Sequence, residues 1–252
     1  MMSSAVEALP APAADETLDQ WGPRRLHILQ KKGGYRFSID TLILADFIRL
    51  KPADRVLDLG TGCGILPLLL APRVPRGRVI GLEVQTGLLD LAARNLRLNQ
   101  LEGRVHILGG DIRRVAALFP GGGFDAVITN PPYRPLKTGR INPGTEKALA
   151  RHEILLDLSQ MLAGGRAILK DKGRFSLIYP VRRLARLLFE ARQAGLEPKR
   201  VRLVHSFPDS NGEWVLLEAV KNGGEELTVL PALTVYERPG VYSPEVRRIL
   251  GG

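Results

Sequence analysis

The apolar positions fall into short blocks that alternate between helical and strand-like patterning. Ile39, Leu42, Ile43, Phe47 and Leu50 recur at helical spacing, so a helix is expected over 39–48, with Ser38 placed to cap it. Compact apolar runs at 55–59, 78–83, 104–108 and 126–128 read as strands. Helical patterns separate them at 65–71, 88–99 and 112–118, and Pro67 suits the first because it falls in the opening turn. Farther on, 152–170 reads as a helix weakened by Gly164 and Gly165. A strand at 175–179 and a helix with a basic face at 181–194 follow. Strands are expected at 201–204 and 214–220. Their connection is too short for a parallel crossover, so the two form an antiparallel hairpin. An edge strand at 227–236 and a terminal helix at 244–250 complete the pattern. Residues 21–37 read as irregular or hairpin-like, with Gly33-Gly34 as the turn. Residues 1–20, rich in Ala, Pro, Ser and acidic groups, read as a disordered tail.

Strand, glycine-rich loop and helix at 55–71 form the opening unit of a nucleotide-type α/β fold. The loop reads Asp58-x-Gly60-Thr61-Gly62-x-Gly64, not the dinucleotide Gly-x-Gly-x-x-Gly, and its small residues let a ligand approach the backbone. Glu83 closes the second strand about twenty residues on, where an acid accepts from a ribose hydroxyl pair. The plainer reading is a solvent-facing acid at a strand end. Asp111 ends the third strand. It suits either an acceptor for an adenine amino group or a cap for the next helix.

The fourth strand stops at Asn130-Pro131-Pro132-Tyr133. Two prolines remove two backbone donors and fix φ twice, and Asn130, preceding a proline, is driven out of helical geometry. A stiff corner at the carboxyl end of a strand thus carries a carboxamide at its start and an aromatic ring at its end. An exocyclic amine or an amide nitrogen is a poor nucleophile because its lone pair is delocalised. The Asn130 oxygen and a carbonyl of the proline pair suit its two N–H groups, and that stabilisation grows as the nitrogen becomes pyramidal. Tyr133 is placed to stack on a planar group. An ordinary Asx-Pro turn is the alternative.

Composition narrows the partner. The 252 residues are 44% hydrophobic and 25% charged, with no apolar run as long as a membrane span. The first residues lack the charged start and apolar middle of a signal peptide. The single cysteine, Cys63, excludes an intrachain disulfide and fits a reducing cytoplasm. One cysteine and four histidines show no metal-ligand spacing, so no metal is expected. Lys and Arg number 36 against 26 Asp and Glu, a formal +10, which favours a polyanion such as nucleic acid. The cations cluster at Arg24, Arg25, Lys31, Lys32 and Arg36, and at Arg182, Arg183, Arg186 and Lys199, Arg200, Arg202. Arg134, Lys137, Arg140, Lys147 and Arg151 follow the diproline corner, on a loop long for its type.

Taken together, Asp58 through Gly64, Glu83, Asp111 and Asn130-Pro131-Pro132-Tyr133 resemble the class I S-adenosylmethionine-dependent methyltransferases, and among them those that methylate exocyclic or amide nitrogens. Gln30, Gly34-Tyr35-Arg36-Phe37-Ser38-Ile39-Asp40, Leu44-Ala45, Ala150-Arg151-His152-Glu153 and the ending 235–246 are similar to the bacterial tRNA1(Val) adenine N6-methyltransferases. The resemblance implies a Rossmann-like α/β fold with a seven-stranded, mostly parallel sheet whose last strand is antiparallel. It also implies one domain over 21–252, with a core at 51–222 between two extensions. S-adenosylmethionine is the implied cofactor and tRNA the implied partner, the target being the adenine on the 3′ side of the anticodon. By the same resemblance Gly60, Gly62 and Gly64 line the cofactor's methionine end, with Asp58 and Thr61 in the same loop. Glu83 holds the ribose, Asp111 the adenine, and Asn130 both borders the cofactor and, with Pro131, Pro132 and Tyr133, forms the catalytic corner that takes the target amine. Tyr133 stacks on the target base, and Arg134, Lys137 and Arg140 grip phosphate. Tyr35, Arg36 and Phe37 close over cofactor or RNA, or else pack at a domain edge. His152 is the one candidate base near the site and reads as structural.

A protein glutamine methyltransferase would use the same corner. Those enzymes usually carry a helical domain ahead of the core, for which residues 1–54 leave little room. A ribosomal RNA methyltransferase, or a non-catalytic RNA-binding protein on this scaffold, also fits the composition. Decay of the glycine loop or of Asn130 would favour the last, and both are intact.

Overall fold

A computed structural model describes residues 12–21, 26–33, 36–131 and 157–251. β1 (Glu16–Trp21) and β2 (Leu26–Lys31) form an antiparallel hairpin running from Glu16 opposite Lys31 to Trp21 opposite Leu26. Two sequence expectations change here. Residues 16–20 belong to a strand, not to a tail, and Lys31 already pairs with Glu16 ahead of Gly33-Gly34, so these glycines do not join the two strands. The acids that made the segment look solvated have partners. Glu16 is buried, with both carboxylate oxygens 2.8 Å from the Arg94 guanidinium, and Asp19 accepts from Gln30 and Arg36.

After α1 (Ile39–Phe47) the main sheet begins. Its principal strands are β3 (Arg55–Leu59), β4 (Arg78–Glu83), β5 (Val105–Gly109), β6 (Phe124–Thr129), β7 (Leu169–Pro180), β8 (Leu196–His205) and β9 (Gly212–Lys221). They lie in the order β5-β4-β3-β6-β7-β9-β8. β3, β4, β5, β6 and β7 are mutually parallel, and β9 runs antiparallel between β7 and β8. This is the expected α/β sheet, with the antiparallel hairpin at its end. Strands β7 and β8 extend well beyond the apolar runs at 175–179 and 201–204, through charged residues such as Lys170, Asp171, Lys172, Lys199 and Arg200 that patterning alone does not assign to a strand.

In place of one edge strand at 227–236 there are two short ones, β10 (Thr228–Val229) and β11 (Leu233–Thr234). Both lie parallel to β8, with Pro231, which has no N–H to donate, between them. β12 (Tyr236–Arg238) and β13 (Val241–Tyr242) then pair with each other ahead of the last helix.

Alternation along each strand feeds two apolar layers. Val56, Val79, Ala126 and Ile128 face one layer with α1, α2 (Ile65–Leu70), α3 (Thr86–Leu98) and β2. Leu57, Leu59, Leu82 and Val127 face the other with α4 (Val115–Leu118), α5 (Leu158–Ile168) and α6 (Leu184–Gln193). Helix α5 runs through Gly164 and Gly165 without a break. A Cβ at 165 would lie 2.1 Å from the Phe175 ring, so the glycine that costs helix propensity also lets α5 rest directly on the sheet. The last helix, α7 (Pro244–Leu250), is capped by Ser243, whose hydroxyl accepts from the Val246 N–H at 3.2 Å. No described helix is long and apolar enough to cross a membrane.

Candidate active site

The parallel strands β3, β4, β5 and β6 end on one edge of the sheet, and the residues singled out in the sequence lie along it. The loop leaving β3 is shaped by backbone conformation. Gly60, Gly62 and Gly64 have φ of 73°, 58° and 84°, a region costly for any residue with a Cβ. Gly60 and Thr61 donate N–H bonds to the Leu82 carbonyl at 2.9 and 3.0 Å, which ties the loop to the end of β4. Glu83 closes the tie. One of its oxygens accepts from the Gly62 N–H at 2.9 Å. The other accepts from Val84 and Gln85, each at 2.9 Å, at the start of α3. Glu83 is therefore a buried clasp on the glycine loop, not a solvent-facing acid.

Below this loop lies an unsatisfied pair. Asp58 is 1% exposed, and neither of its carboxylate oxygens makes a hydrogen bond among the described residues; nor does the Thr61 hydroxyl. Burial pushes the Asp58 carboxyl up to about 7. The nearby Thr61 hydroxyl offsets this in part, and the Glu83 charge adds to it. A buried acid without a donor is costly. It is the feature expected where a ligand's N–H or ammonium group belongs.

Asp111 does what the plainer reading proposed. It caps the short helical turn at 112–114 by accepting from the Arg113 N–H at 2.8 Å, and it pairs with the Arg113 guanidinium at 2.5 Å. Arg113 accordingly holds its carboxyl below the usual range. The loop after β5 stays beside the glycine loop: Gly110 donates to the Glu83 carbonyl at 2.9 Å.

The fourth strand end is held by side chains. The Thr129 hydroxyl donates to the Leu59 carbonyl at 2.8 Å, joining the ends of β6 and β3. The Asn130 amide nitrogen donates to the Thr41 hydroxyl at 2.9 Å and to Asp40 at 3.3 Å. Asp40 and Thr41 are both buried in the first turn of α1. Ser38 is the N-cap residue by position, yet its hydroxyl donates to the Asp40 carboxylate instead of accepting from the helix. Pro131 is buried directly after Asn130.

Tyr35, Pro132, Tyr133, Arg134, Lys137, Arg140 and His152 lie outside the described residues. Arg36 and Phe37 are built into the hairpin. The Arg36 guanidinium bonds Asp19 at 2.8 Å and Thr17 at 3.0 Å. The Phe37 N–H donates to the Gln30 side chain at 3.1 Å, and its ring meets Trp21 edge-on, 5.9 Å between centroids. These contacts favour packing over closure on a ligand for both residues.

Sequence reasoning gave no role to Asp40, Thr41 or Asn95. Fully buried Asn95 accepts from the Leu29 N–H at 2.7 Å and donates to the Cys63 carbonyl at 2.9 Å, so one α3 side chain links the hairpin to the glycine loop. Its only sign in the sequence is an amide among the apolar positions of a helix.

The model of the methyltransferase small domain matches residues 34–180, more than half of the chain. Two Porphyromonas gingivalis proteins named tRNA1(Val) (adenine(37)-N6)-methyltransferase are similar to it. One is 29% identical over 90% of this chain and 91% of its own length, the other 30% identical over 77% and 76%. A Dyadobacter fermentans protein of the same name is 24% identical over 90% of this chain and 97% of its own. Among solved structures, one titled a predicted O-methyltransferase from Agrobacterium tumefaciens shares the fold. Its TM-score is 0.66 at 23% identity, over 83% of this chain and 94% of that one. With its glycine loop, acid clasp and asparagine corner on one sheet edge, this chain belongs to the methyltransferase small domain family.

Proposed function

We propose that the chain, acting as one methyltransferase domain in the cytoplasm, transfers the methyl group of S-adenosylmethionine to the exocyclic N6 of an adenine in tRNA. The target is the adenine on the 3′ side of the anticodon. The names of the relatives support the substrate class. The observation that carries the chemistry is the Asn130 carboxamide, whose NH2 end is turned into Asp40 and Thr41, so that its oxygen, the end able to accept from an amine, is the other one.

The residues at the edge fit the cofactor. Asp58 and Thr61 supply buried acceptors that have no donor among the described residues, matching the ammonium of a methionine end. Gly60, Gly62 and Gly64 keep the backbone bare, Glu83 is the acceptor beside the loop for ribose hydroxyls, and Asp111 is the polar group at the adenine end. When bound, the cofactor supplies a sulfonium methyl, an electrophile that leaves the protein only positioning and electrostatics to provide. Asn130 accepts an N–H of the adenine amine, an interaction that strengthens as the nitrogen lone pair turns toward the methyl. Tyr133 stacks on the unstacked base, which is easier to extract from an anticodon loop than from a duplex. Arg134, Lys137 and Arg140 hold the flanking phosphates.

The test is incubation with labelled cofactor and, in parallel, total tRNA, ribosomal RNA and a release factor, followed by mass spectrometry of the labelled product. N6-methyladenosine from the tRNA arm is the expected result. Label confined to ribosomal RNA or to a protein glutamine would overturn the substrate assignment.

A further inference from the structure

An asparagine side chain has two ends of nearly the same shape, and only one can accept a hydrogen bond from an amine. A corner that exposed the NH2 end would repel the substrate's N–H groups. Something in the fold has to decide which end faces out, and a proline's restraint on backbone angles does not by itself set the rotation of a side-chain amide.

We infer that Asp40, with Thr41, is the positioning residue that sets the polarity of the Asn130 carboxamide. This rests on the reading of Asn130 given above and extends it to residues outside the glycine-loop core. A carboxylate only accepts, so the end of Asn130 that faces Asp40 must be NH2. The two acceptors, Asp40 at 3.3 Å and Thr41 at 2.9 Å, match the two amide protons. Asp40 is itself held. Its other oxygen accepts from the Thr41 N–H at 2.8 Å and from the Ser38 hydroxyl, so the carboxylate cannot turn aside. Asp40 is 8% and Thr41 1% exposed, which leaves little water to repair a reversed amide. α1 is anchored in turn by Ile43, Leu44 and Phe47 in the core, and the segment entering it by the Phe37 N–H on Gln30. The N-terminal extension thus determines which atom of the corner meets the substrate.

Asp40→Asn tests this with little change of shape. The Thr41 N–H retains the acceptor end of the new amide, so its NH2 end faces the NH2 of Asn130 and drives Asn130 to reverse. The expected result is a fall in kcat of roughly 100-fold, the scale of losing one transition-state hydrogen bond. Cofactor Kd by calorimetry and KM for tRNA should stay within about threefold. Asn130→Asp alone sets two carboxylates against each other and should lose activity similarly. The double variant Asp40→Asn/Asn130→Asp restores a donor–acceptor pair and leaves a carboxylate oxygen facing the amine. It should recover at least about tenfold over either single change, a rescue that a purely structural role would not produce.

Thr41→Val, with Thr41→Ser as its conservative partner, gives an independent check: several-fold loss in the first and near-parental activity in the second. Asp40→Asn with parental kcat beside an inactive Asn130→Ala overturns the inference, as does a double variant no better than its worse parent. Retained turnover in Asn130→Ala instead overturns the underlying reading of the corner. Melting temperatures of all variants separate loss of fold from loss of chemistry.

Discussion

The two halves of the site are built in different ways. The cofactor half is local. Three glycines in left-handed conformation shape the loop after β3, and Glu83 and the Leu82 carbonyl hold it from the adjoining strand. The acceptor half is assembled at long range. Asn130 is oriented by residues 89 and 90 positions away on a helix that precedes the sheet. That helix depends on a hairpin tied to α3 through Asn95 and to the next segment through Gln30. A loop specified by its own backbone preferences needs few partners. A side chain whose two ends differ only in hydrogen-bond polarity needs a neighbour that imposes the choice.

The largest expected effect separates the halves. Asn130→Ala removes the acceptor at the reacting nitrogen while leaving the glycine loop intact. Turnover should fall by roughly a thousandfold or more, with cofactor Kd within about twofold of the parent. Glu83→Gln should do the reverse. Its retained oxygen goes on accepting from Val84 and Gln85, so the new NH2 faces the Gly62 N–H and opens the clasp. Cofactor binding should weaken by roughly 10- to 100-fold, with kcat at saturation within about threefold. Calorimetry for binding and single-turnover transfer for chemistry check the pair. A Glu83→Gln variant impaired in kcat but not in binding would show that the halves are not separable in this way.

The same contrast explains what the sequence disclosed. Strands β3 and β4 and helix α7 occupy the segments expected from patterning, and the loop between β3 and α2 follows from glycine spacing. All of these signals lie within a few residues of their consequence. Glu16–Trp21 was hidden because Glu16 and Asp19 look solvated until Arg94, Gln30 and Arg36 are brought to them by tertiary packing. Asp40 stands in the first turn of α1, where an acid is favourable on dipole grounds alone, and nothing local in the sequence betrays its contact with Asn130. Gly164 and Gly165 look like a weakness in the helix because propensity counts their entropy and not the close approach to Phe175 that Gly165 permits.

A smaller effect belongs to the cofactor half. Desolvation raises the Asp58 carboxyl from its ordinary value to about 7, so the folded chain retains a proton that the unfolded chain releases near pH 4. The stability contributed is fully present below the unfolded pKa and is lost as pH rises through about 7. A donor arriving from the cofactor favours the ionised form, so binding there releases a proton. Affinity should therefore increase as pH rises toward about 7, by at most tenfold per unit, and flatten above it. Asp58→Asn should remove that slope and raise the melting temperature at about pH 8, where the parent buries a charge that no cation among the described residues balances. Calorimetry in buffers of different ionisation enthalpy measures the proton directly. Binding without proton release near pH 6 would mean that Asp58 does not meet the ligand.

The smallest effect tests how far the long-range half depends on its outermost tie. The Arg94 guanidinium lies over the two oxygens of Glu16 and holds its carboxyl at about 2, well below the ordinary 4.5. That contribution is present above the unfolded pKa and is lost as pH falls through about 2, so at neutral pH it is fully in force. Arg94→Ala leaves Glu16 buried with Lys31 as its remaining cation at 3.3 Å. The expected cost is about 1–2 kcal/mol of stability by denaturant titration at neutral pH, diminishing in acid. If the hairpin acts on Asn130 through Gln30 and α1, this variant should also lower kcat a few-fold while cofactor affinity stays unchanged. A stability loss with kcat preserved would place the hairpin outside the chain of contacts that orients the corner, and would leave Asp40 and Thr41 to do that work on the strength of α1's own packing.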